Sequence, residues 1–251
     1  MKKVKHVIAL LTAVLSLFSM RTIALESAPV TFACNYFPPQ KMTTPEQSAQ
    51  PGYDVEIITE SMKSIQMRSK FEYFPWKRAY DLVKHGQKDA LCSCSYLPER
   101  EADFLFSEPT GQAVTGVFYR AEDATSAILS LKDLRGRHVA VVKGYNLEAE
   151  LEKAQIGEFE TVSSDKLLLN LLQYHRVDYI YSYESTIRYE MKHMADAPQL
   201  QFSPIGKNPY FVCFSKLSPR AMSLRDGFNS ALQKLKSSGR YDEIIGHYTS
   251  P

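Results

Sequence analysis

Long apolar runs are scarce in this sequence of 251 residues. The one candidate is residues 7–20, VIALLTAVLSLFSM, which is short of the roughly 20 residues that a bilayer-spanning helix needs. It follows the basic start MKKVKH and precedes the small-residue site Thr22-Ile23-Ala24, the pattern of a secretory signal peptide. We expect residues 1–24 to be removed on export, rather than kept as an anchor. No cysteine follows that site directly, so a lipid anchor is not expected.

An excess of basic charge is missing as well. Removal of residues 1–24 takes four of the 30 basic residues and none of the 28 acidic ones, which leaves a net charge of −2 with histidine neutral. The apparent basicity therefore belongs to the signal peptide. No basic stripe remains to suggest a nucleic-acid partner.

Motifs for common catalytic and metal sites are absent from the sequence too. There is no serine nucleophile elbow, no His-Glu-x-x-His and no phosphate loop, so no cofactor or metal is expected. Cys92-x-Cys94 is not a standard zinc spacing. In an exported chain these two can pair with Cys34 and Cys213 in any of three ways, or all four can be buried free thiols.

Alternating elements are what the sequence does contain. Strand-like runs alternate with helical patterns in both halves of the chain, which favours a mostly parallel sheet with helices on both faces. Strands are predicted at residues 29–36, 71–74, 89–96, 114–119, 138–142, 177–183 and 210–215, with polar loops at 40–52 and 195–208. No flexible linker separates the halves, so we expect two lobes joined by crossing strands, with a ligand cleft between them.

Helix ends are marked by capping residues. Asn146, Ser164 and Ser218 are predicted N-caps, the last followed by proline at the first helical position. Gly86 and Gly239 are predicted to end their helices.

The stretch from Ser93 to Pro109 is the strongest candidate for a binding site. Arg100 offers a planar fork of donors that fits a carboxylate. Ser93 and Ser95 can donate and accept hydrogen bonds beside it. The structural alternative is a strand, a turn and a solvated arginine.

Short motifs in a characteristic order run through nearly the whole chain after the signal peptide. They are Tyr36-Phe37-Pro38-Pro39, Gly52-Tyr53-Asp54-Val55, Leu82 through Gly86 to Asp89, Pro98-Glu99-Arg100, Asp103-Phe104, Phe106-Ser107-Glu108-Pro109, Leu131 through Leu134 to Gly136, Val142-Lys143-Gly144, Val177-Asp178, and Gly239-Arg240-Tyr241 with Ile244. In these motifs the chain resembles the extracellular solute-binding protein family 3, the polar amino-acid-type receptors of ABC importers. Pro75 to Ala79 resembles a branch of short periplasmic members, many without an obvious transporter.

The resemblance implies an α/β, two-lobed periplasmic binding protein fold of type II, with the ligand cleft between the lobes. One lobe is expected to take residues 26–112 and 208–251, and the other residues 113–207. Closure of the lobes on a ligand is the expected mechanism.

The resemblance also implies a set of binding residues. Tyr36 and Trp76 match aromatics that pack on the ligand, Arg100 matches the arginine that grips an α-carboxylate, and Ser93 and Ser95 match polar positions beside it. Gly144, Tyr145 and Asn146 match a turn whose backbone N–H groups face the carboxylate, a natural anion site at a helix start.

One position departs from the family pattern. Tyr183 stands where the family has an acid that binds the ligand ammonium. Glu184 follows, but along a strand it points to the opposite side. Tyr145 and Asn146 replace smaller hydroxyl residues and are expected to narrow the pocket. The expected ligand is therefore a carboxylate-bearing molecule, rather than a standard amino acid specifically.

The expected function is a monomeric periplasmic receptor that captures a small polar solute. It would present that solute to an ABC permease or to a membrane sensor, as in amino acid transport. The alternative is an enzyme on the same scaffold that resembles cyclohexadienyl dehydratase. Such an enzyme needs an acid or base in the cleft, for which Glu99, Glu108 and Glu184 are the candidates.

Overall fold

The computed structural model describes residues 28–123 and 128–249, so the predicted signal peptide lies outside the described residues. Within that part, the strands are β1 (Val30–Cys34), β2 (Ser69–Tyr73), β3 (Ala90–Ser95), β4 (Phe104–Arg120), β5 (Val139–Val142), β6 (Glu160–Val162), β7 (Tyr179–Tyr183) and β8 (Leu200–Ser215). The helices are α1 (Tyr53–Ser64), α2 (Trp76–Lys84), α3 (Asn146–Ala154), α4 (Asp165–Gln173), α5 (Glu184–Lys192), α6 (Ala221–Ser237) and α7 (Arg240–Thr249).

The strands join in one mixed sheet with the order β2-β1-β3-β8-β4-β7-β5-β6. At one end β1 pairs in parallel with β2 and β3, and at the other β5 pairs in parallel with β6 and β7. Between them β4 and β8 run antiparallel to each other and to their neighbours. The prediction of a mostly parallel sheet is wrong for this centre, whereas the two α/β halves linked by crossing strands are confirmed.

The crossing strands are much longer than predicted. They pair from Phe104 opposite Ser215 to Arg120 opposite Leu200, although only residues 114–119 and 210–215 were predicted as strand. The segment predicted as a polar loop is mostly strand because its backbone pairs with β4. Its side chains from Leu200 to Pro209 remain exposed or half-buried, and a strand needs apolar residues only on the face that it buries.

Two apolar clusters form the core. One gathers β1, α1 and α6 around buried side chains such as Phe32, Met62 and Phe228. The other starts from β5 and β7 and continues across the junction of the halves to Trp76 and Val83 on α2. Trp76, Ala79 and Val83 recur at helical spacing, so one buried face of α2 fixes the position of the tryptophan.

Three of the predicted helix caps are confirmed. The Ser164 side chain accepts from the Leu167 N–H at the start of α4. Gly86 and Gly239 take positive φ angles of 71° and 80° just after α2 and α6, a conformation that glycine adopts without steric cost.

The other two predicted caps are wrong. Asn146 is the first residue of α3, and its side chain bonds Glu150 instead of capping the helix. Ser218 lies ahead of α6, which begins at Ala221, and its hydroxyl donates to Asp89 at 2.9 Å. In both cases the side chain that was expected to accept from a helix N–H group instead donates to a nearby carboxylate, Glu150 for Asn146 and Asp89 for Ser218.

The four cysteines form two disulfides, Cys34–Cys92 and Cys94–Cys213, with Cα–Cα distances of 5.1 and 6.2 Å. This excludes the alternative of buried free thiols and selects one of the three possible pairings. The bridges tie β3 to β1 on one side and to β8 on the other. They therefore flank Ser93 and hold the end of β3 in place.

No helix in the two described ranges is long and apolar enough to cross a membrane.

Candidate functional site

A cavity of about 40 Å³ lies between the two halves, where the carboxyl ends of β1, β3, β5 and β7 meet. Ligands of α/β proteins commonly bind beyond these strand ends. Its walls contain charged, amide, hydroxyl and aromatic side chains. The lining residues are Asn35, Phe37, Lys41, Asp54, Trp76, Ser93, Cys94, Ser95, Arg100, Ala113, Tyr145, Asn146, Tyr183, Asn208 and Tyr210.

Most of the residues predicted from the sequence come together here. The predicted residues in the lining are Trp76, Ser93, Ser95, Arg100, Tyr145, Asn146 and Tyr183. Tyr36 and Gly144 are not among the lining residues. The three acids considered for a dehydratase-like reaction, Glu99, Glu108 and Glu184, are not in it either.

Arg100 is buried rather than solvated at the rim, with 5% of its surface exposed. Its Nη1 donates to the Ser95 carbonyl at 2.9 Å and its Nη2 to the Gly144 carbonyl at 3.0 Å. The guanidinium also lies 5.6 Å from the Trp76 ring centre. Because Ser95 ends β3 and Gly144 follows β5, Arg100 joins the two halves of the molecule. Two of its five N–H donors make these bonds.

The Gly144 carbonyl accepts two hydrogen bonds that join the halves of the molecule. Besides the bond from Arg100, it accepts one from Trp76 Nε1 at 2.7 Å. The φ of Gly144 is +78°, and a Cβ there would lie 3.3 Å from Trp76 Cδ1, so conformation and close approach both favour glycine. The Gly144 N–H donates to Glu148 at 2.6 Å, and the Tyr145 N–H to Val142 at 3.2 Å. Both N–H groups thus bond within the turn, and their use for a ligand carboxylate stays a prediction.

Four aromatic rings close the cavity from both sides. Phe37 and Trp76 belong to the half that contains β1, while Tyr145 and Tyr183 belong to the half that contains β5. Their ring centres are 5.1 Å apart for Phe37–Tyr183, 6.0 Å for Trp76–Tyr145 and 5.4 Å for Tyr145–Tyr183, in edge-to-face arrangements. Such contacts favour the closed arrangement of the halves.

Phe37 occupies the position inside the cavity that was expected for Tyr36. Tyr36 is 49% exposed and is not among the lining residues. The neighbouring residue is turned inward because Phe37 and Lys41 exchange two backbone hydrogen bonds of 2.8 Å. Successive residues in such a segment face opposite sides.

Tyr183 takes part in a hydrogen-bonded group with Asn146 and Ser95. Its hydroxyl donates to Asn146 Oδ1 at 2.5 Å and lies 3.2 Å from Ser95 Oγ. Burial raises the pKa of this phenol, so it stays neutral at pH 7. Glu184 accepts from Arg188 at 2.8 Å and is outside the cavity lining, as expected, but the reason differs: it is the first residue of α5 and not part of the strand.

Asp165 supports the site from behind. It accepts hydrogen bonds from Tyr145 at 2.9 Å and from Ser182 at 2.5 Å. Burial raises the pKa of its carboxyl to about 6, although both hydrogen bonds act in the opposite direction. Asn35 donates to the same Tyr145 hydroxyl at 3.3 Å, so the ring is held from both halves of the molecule.

Lys41 is a cavity residue that the sequence did not reveal. The prediction of a surface loop over residues 40–52 is wrong at its start, because Gln40 and Lys41 are each only 2% exposed. The Lys41 ammonium donates to Ser93 Oγ and lies 4.7 Å from the Phe37 ring centre. Burial lowers the pKa of this ammonium to about 8, against the opposing effect of Asp54 and Asp165.

Asp54, in the first turn of α1, is the second residue that was missed. It is 3% exposed, and its Oδ1 accepts from the Tyr210 hydroxyl at 2.9 Å. Its Oδ2 has no hydrogen-bond partner among the described residues. Burial raises the pKa of this carboxyl to about 7, with the charge of Lys41 as the main opposing influence. Its motif position suggested the family, but not a buried carboxylate oxygen without a partner in a residue that lines the cavity.

The family model of the bacterial extracellular solute-binding proteins, family 3, matches residues 30–251. The chain belongs to this family, whose members are extracellular and bind small solutes.

Named relatives agree with this assignment. The ABC transporter glutamine-binding protein GlnH of Bacillus subtilis (strain 168) is 25% identical over 212 residues, which are 81% of this chain and 74% of that protein. A histidine kinase sensor domain with similarity to periplasmic binding proteins has a TM-score of 0.80 at 20% identity, over 90% of this chain and 97% of that one.

An ancestral arginine-binding protein bound to glutamine has a TM-score of 0.77 at 20% identity, over 90% of this chain and 99% of that one. These likenesses establish the two-lobed periplasmic binding protein fold that the sequence predicted.

Proposed function

We propose that this protein is an exported periplasmic receptor that captures a small carboxylate-bearing polar solute, an amino acid or a close relative, by closure of two lobes. The lobes are residues 26–112 with 208–251, and residues 113–207. The observation that carries the proposal is the closure contact, in which Arg100 and Trp76 from one half both donate to the Gly144 carbonyl of the other.

Arg100 is the proposed anchor for the ligand carboxylate. A guanidinium that is buried beside a cavity offers its remaining donors in a fixed plane, which suits the two oxygens of a carboxylate. Since the same side chain bonds Gly144, a ligand held by Arg100 is linked directly to closure of the lobes. Ligand binding and the closed form then stabilise each other.

The size of the cavity limits the ligand. About 40 Å³ accommodates a few water molecules, so a bound amino acid requires the rings of Tyr145 and Tyr183 to shift or the lobes to separate slightly. Both rings lie on the same lobe, and a small hinge motion moves them together away from Arg100. Small solutes are therefore favoured over peptides.

A membrane protein is the proposed partner of the closed form. The named relative GlnH belongs to an ABC transporter, and the sensor domain with the same fold belongs to a histidine kinase. The chain is proposed to act as a monomer that delivers its solute to a permease or reports it to a sensor. No catalytic step is proposed.

A thermal-shift screen of the protein without its signal peptide tests this function. The panel contains the amino acids, short peptides, dicarboxylates and polyamines. A ligand at 100 times its Kd stabilises the folded state by about 2.7 kcal/mol, which raises Tm measurably. Arg100→Met is expected to weaken binding of the hit by about 2–3 kcal/mol, the scale for loss of a buried charged hydrogen bond.

Arg120→Lys is the matched control, because Arg120 is also 5% exposed and also donates to two carbonyls, but away from the cavity. It should lower stability and leave affinity unchanged. Equal affinity of wild type and Arg100→Met for every hit would refute the carboxylate anchor.

A further inference from the structure

One end of the cavity contains two buried, oppositely charged side chains whose hydrogen-bonding capacity is incompletely used. Lys41 has three N–H donors, and Ser93 Oγ accepts one of them. The Phe37 ring, 4.7 Å away, provides a further favourable contact but accepts no conventional hydrogen bond. A buried ammonium is stable only when its surroundings compensate for lost hydration. Lys41 can therefore offer a donor to a group in the cavity.

Asp54 provides the complementary atom. Its Oδ1 is engaged by Tyr210, whereas Oδ2 is buried, belongs to a cavity-lining residue and has no partner among the described residues. Buried carboxylate oxygens without a partner are uncommon and call for an explanation. A donor supplied by a ligand would satisfy this oxygen.

The two charges do not neutralise each other directly. In the described part of the chain, no ion pair within 4.0 Å joins the Lys41 ammonium to the Asp54 carboxylate. Both nevertheless line the same small cavity, and each contributes to the electrostatic environment of the other. A ligand group that contacts both has to accept from Lys41 and donate to Asp54.

Few ligand groups meet both demands. At a pH high enough to ionise Asp54, a carboxylate accepts from Lys41 but is repelled by Asp54, and an ammonium has the reverse problem. A primary carboxamide presents a carbonyl oxygen and an NH₂ group side by side, so it suits both residues and adds no charge. Recognition of this kind discriminates strongly, because the wrong group leaves a buried atom unpaired.

We infer that Lys41 and Asp54, which line the same cavity as Arg100, form a subsite for a primary carboxamide of a ligand whose carboxylate is held by Arg100. This inference rests on the proposed receptor function and specifies its ligand class, a carboxylic acid with a terminal amide. Neither an enzymatic step nor a cofactor is involved.

Isothermal titration with matched ligand pairs tests the subsite. The pairs are L-glutamine with L-glutamate, L-asparagine with L-aspartate, and glutaramate with glutarate. At pH 8 the wild type should bind the amide of at least one pair at least tenfold more tightly than the corresponding acid. Glutaramate lacks the α-amino group. If that group is required and the side-chain amide is not, the zwitterionic head occupies the subsite and the inference is wrong.

Asp54→Asn is the decisive variant, because the new amide can rotate to donate towards a carboxylate. The ratio of amide to acid affinity should fall at least tenfold, while binding itself persists. Lys41→Met keeps the side-chain length, removes the donor and should weaken the amide ligand at least tenfold. Lys77→Met, at an exposed lysine paired with Asp81, is the control and should change nothing.

The two proposals fail in different ways. Binding of carboxylates with no preference for the amide, or with a preference that neither Asp54→Asn nor Lys41→Met alters, overturns the subsite and leaves the receptor intact. Absence of binding by any carboxylate refutes the receptor as well. Far-ultraviolet circular dichroism checks that each variant is folded. If Asp54→Asn does not fold, the wild-type ratios and Lys41→Met still decide the matter.

Discussion

Two buried arginines in this molecule have almost the same local chemistry and different roles. Arg100 and Arg120 are each 5% exposed, and each donates to two backbone carbonyls. The carbonyls bound by Arg120 are those of Leu172 and Val177, which lie on either side of the turn between α4 and β7, within one half of the molecule. Arg100 instead takes one carbonyl from each half and faces the cavity. The number of hydrogen bonds does not separate a structural arginine from a functional one, whereas the location of the acceptors does.

The same distinction separates two acids. Asp89 accepts from Thr31 and Ser218 and pairs with Arg220 at 3.0 Å, and these partners lower the pKa of its carboxyl despite burial. Asp165, behind the cavity, accepts from two hydroxyl groups, and the burial of its carboxyl dominates. The charge of Asp89, away from the cavity, is balanced by the positive charge of Arg220. The Asp165 carboxyl, next to the cavity, is held by two neutral hydroxyl groups instead.

Arg120→Met should have the largest effect on stability. It leaves two carbonyls without their buried donor, at about 1–3 kcal/mol each, and also removes the partner of the partly exposed Asp123. Arg100→Met should cost clearly less in the absence of ligand, because separation of the lobes lets water solvate Ser95 and Gly144. Urea unfolding of the two variants makes the comparison. Equal losses would mean that Arg100 is as structural as Arg120.

The pH dependence of Asp165 should be of the order of 2–3 kcal/mol. Its folded-state pKa of about 6 lies above its ordinary value of 3.8, so the folded protein binds the proton more tightly than the unfolded chain does. The stabilising contribution is complete below about pH 4 and is lost as the pH rises through 6. Asp165→Asn should remove this loss, which is measured by the free energy of unfolding at pH 4, 5, 6 and 7.

Asp89 should show the opposite sign. Its pKa is lowered in the folded state, so its contribution is present above pH 4 and is lost on acidification. Asp89→Asn should cost about 2 kcal/mol at pH 7, the scale of a charged hydrogen bond, and less at pH 3. Unfolding at these two pH values measures both effects. A difference from wild type that grows towards pH 3 would contradict the ion-pair explanation.

The smallest effect is expected for Tyr183→Phe. The hydroxyl bonds Asn146 and Ser95 across the cavity, and its loss should cost about 1 kcal/mol of stability in the ligand-free protein. Tyr179→Phe, on the same strand, is a suitable control for removal of a tyrosine hydroxyl. Thermal denaturation compares the two. A larger cost for Tyr179→Phe would show that the cavity hydroxyl is not important for closure.

The sequence revealed the family, the two halves and the residues that sit in ordered motifs, such as Trp76 and Arg100. It did not reveal Lys41, because a lysine in a polar segment between prolines is usually exposed. Its burial depends on backbone pairing with Phe37 that no periodicity signals. Asp54 belonged to a recognised motif, but whether its carboxylate oxygens find partners depends on how the folded chain packs, and the sequence carries no signal for that. The crossing strands were underestimated for a related reason, since their polar parts are held by pairing rather than by burial.

The most direct measurement of the central claim is the distance between the two lobes with and without ligand. Spin labels at Arg78→Cys and Lys153→Cys lie on exposed helical sites of opposite halves, and the native cysteines in the described chain are all paired. With a saturating ligand from the screen, double electron–electron resonance should give one short, narrow distance distribution. Without ligand it should be longer and broader, and Arg100→Met should keep it so. Identical distributions for the free protein and for the protein saturated with a bound carboxylate would contradict capture by closure.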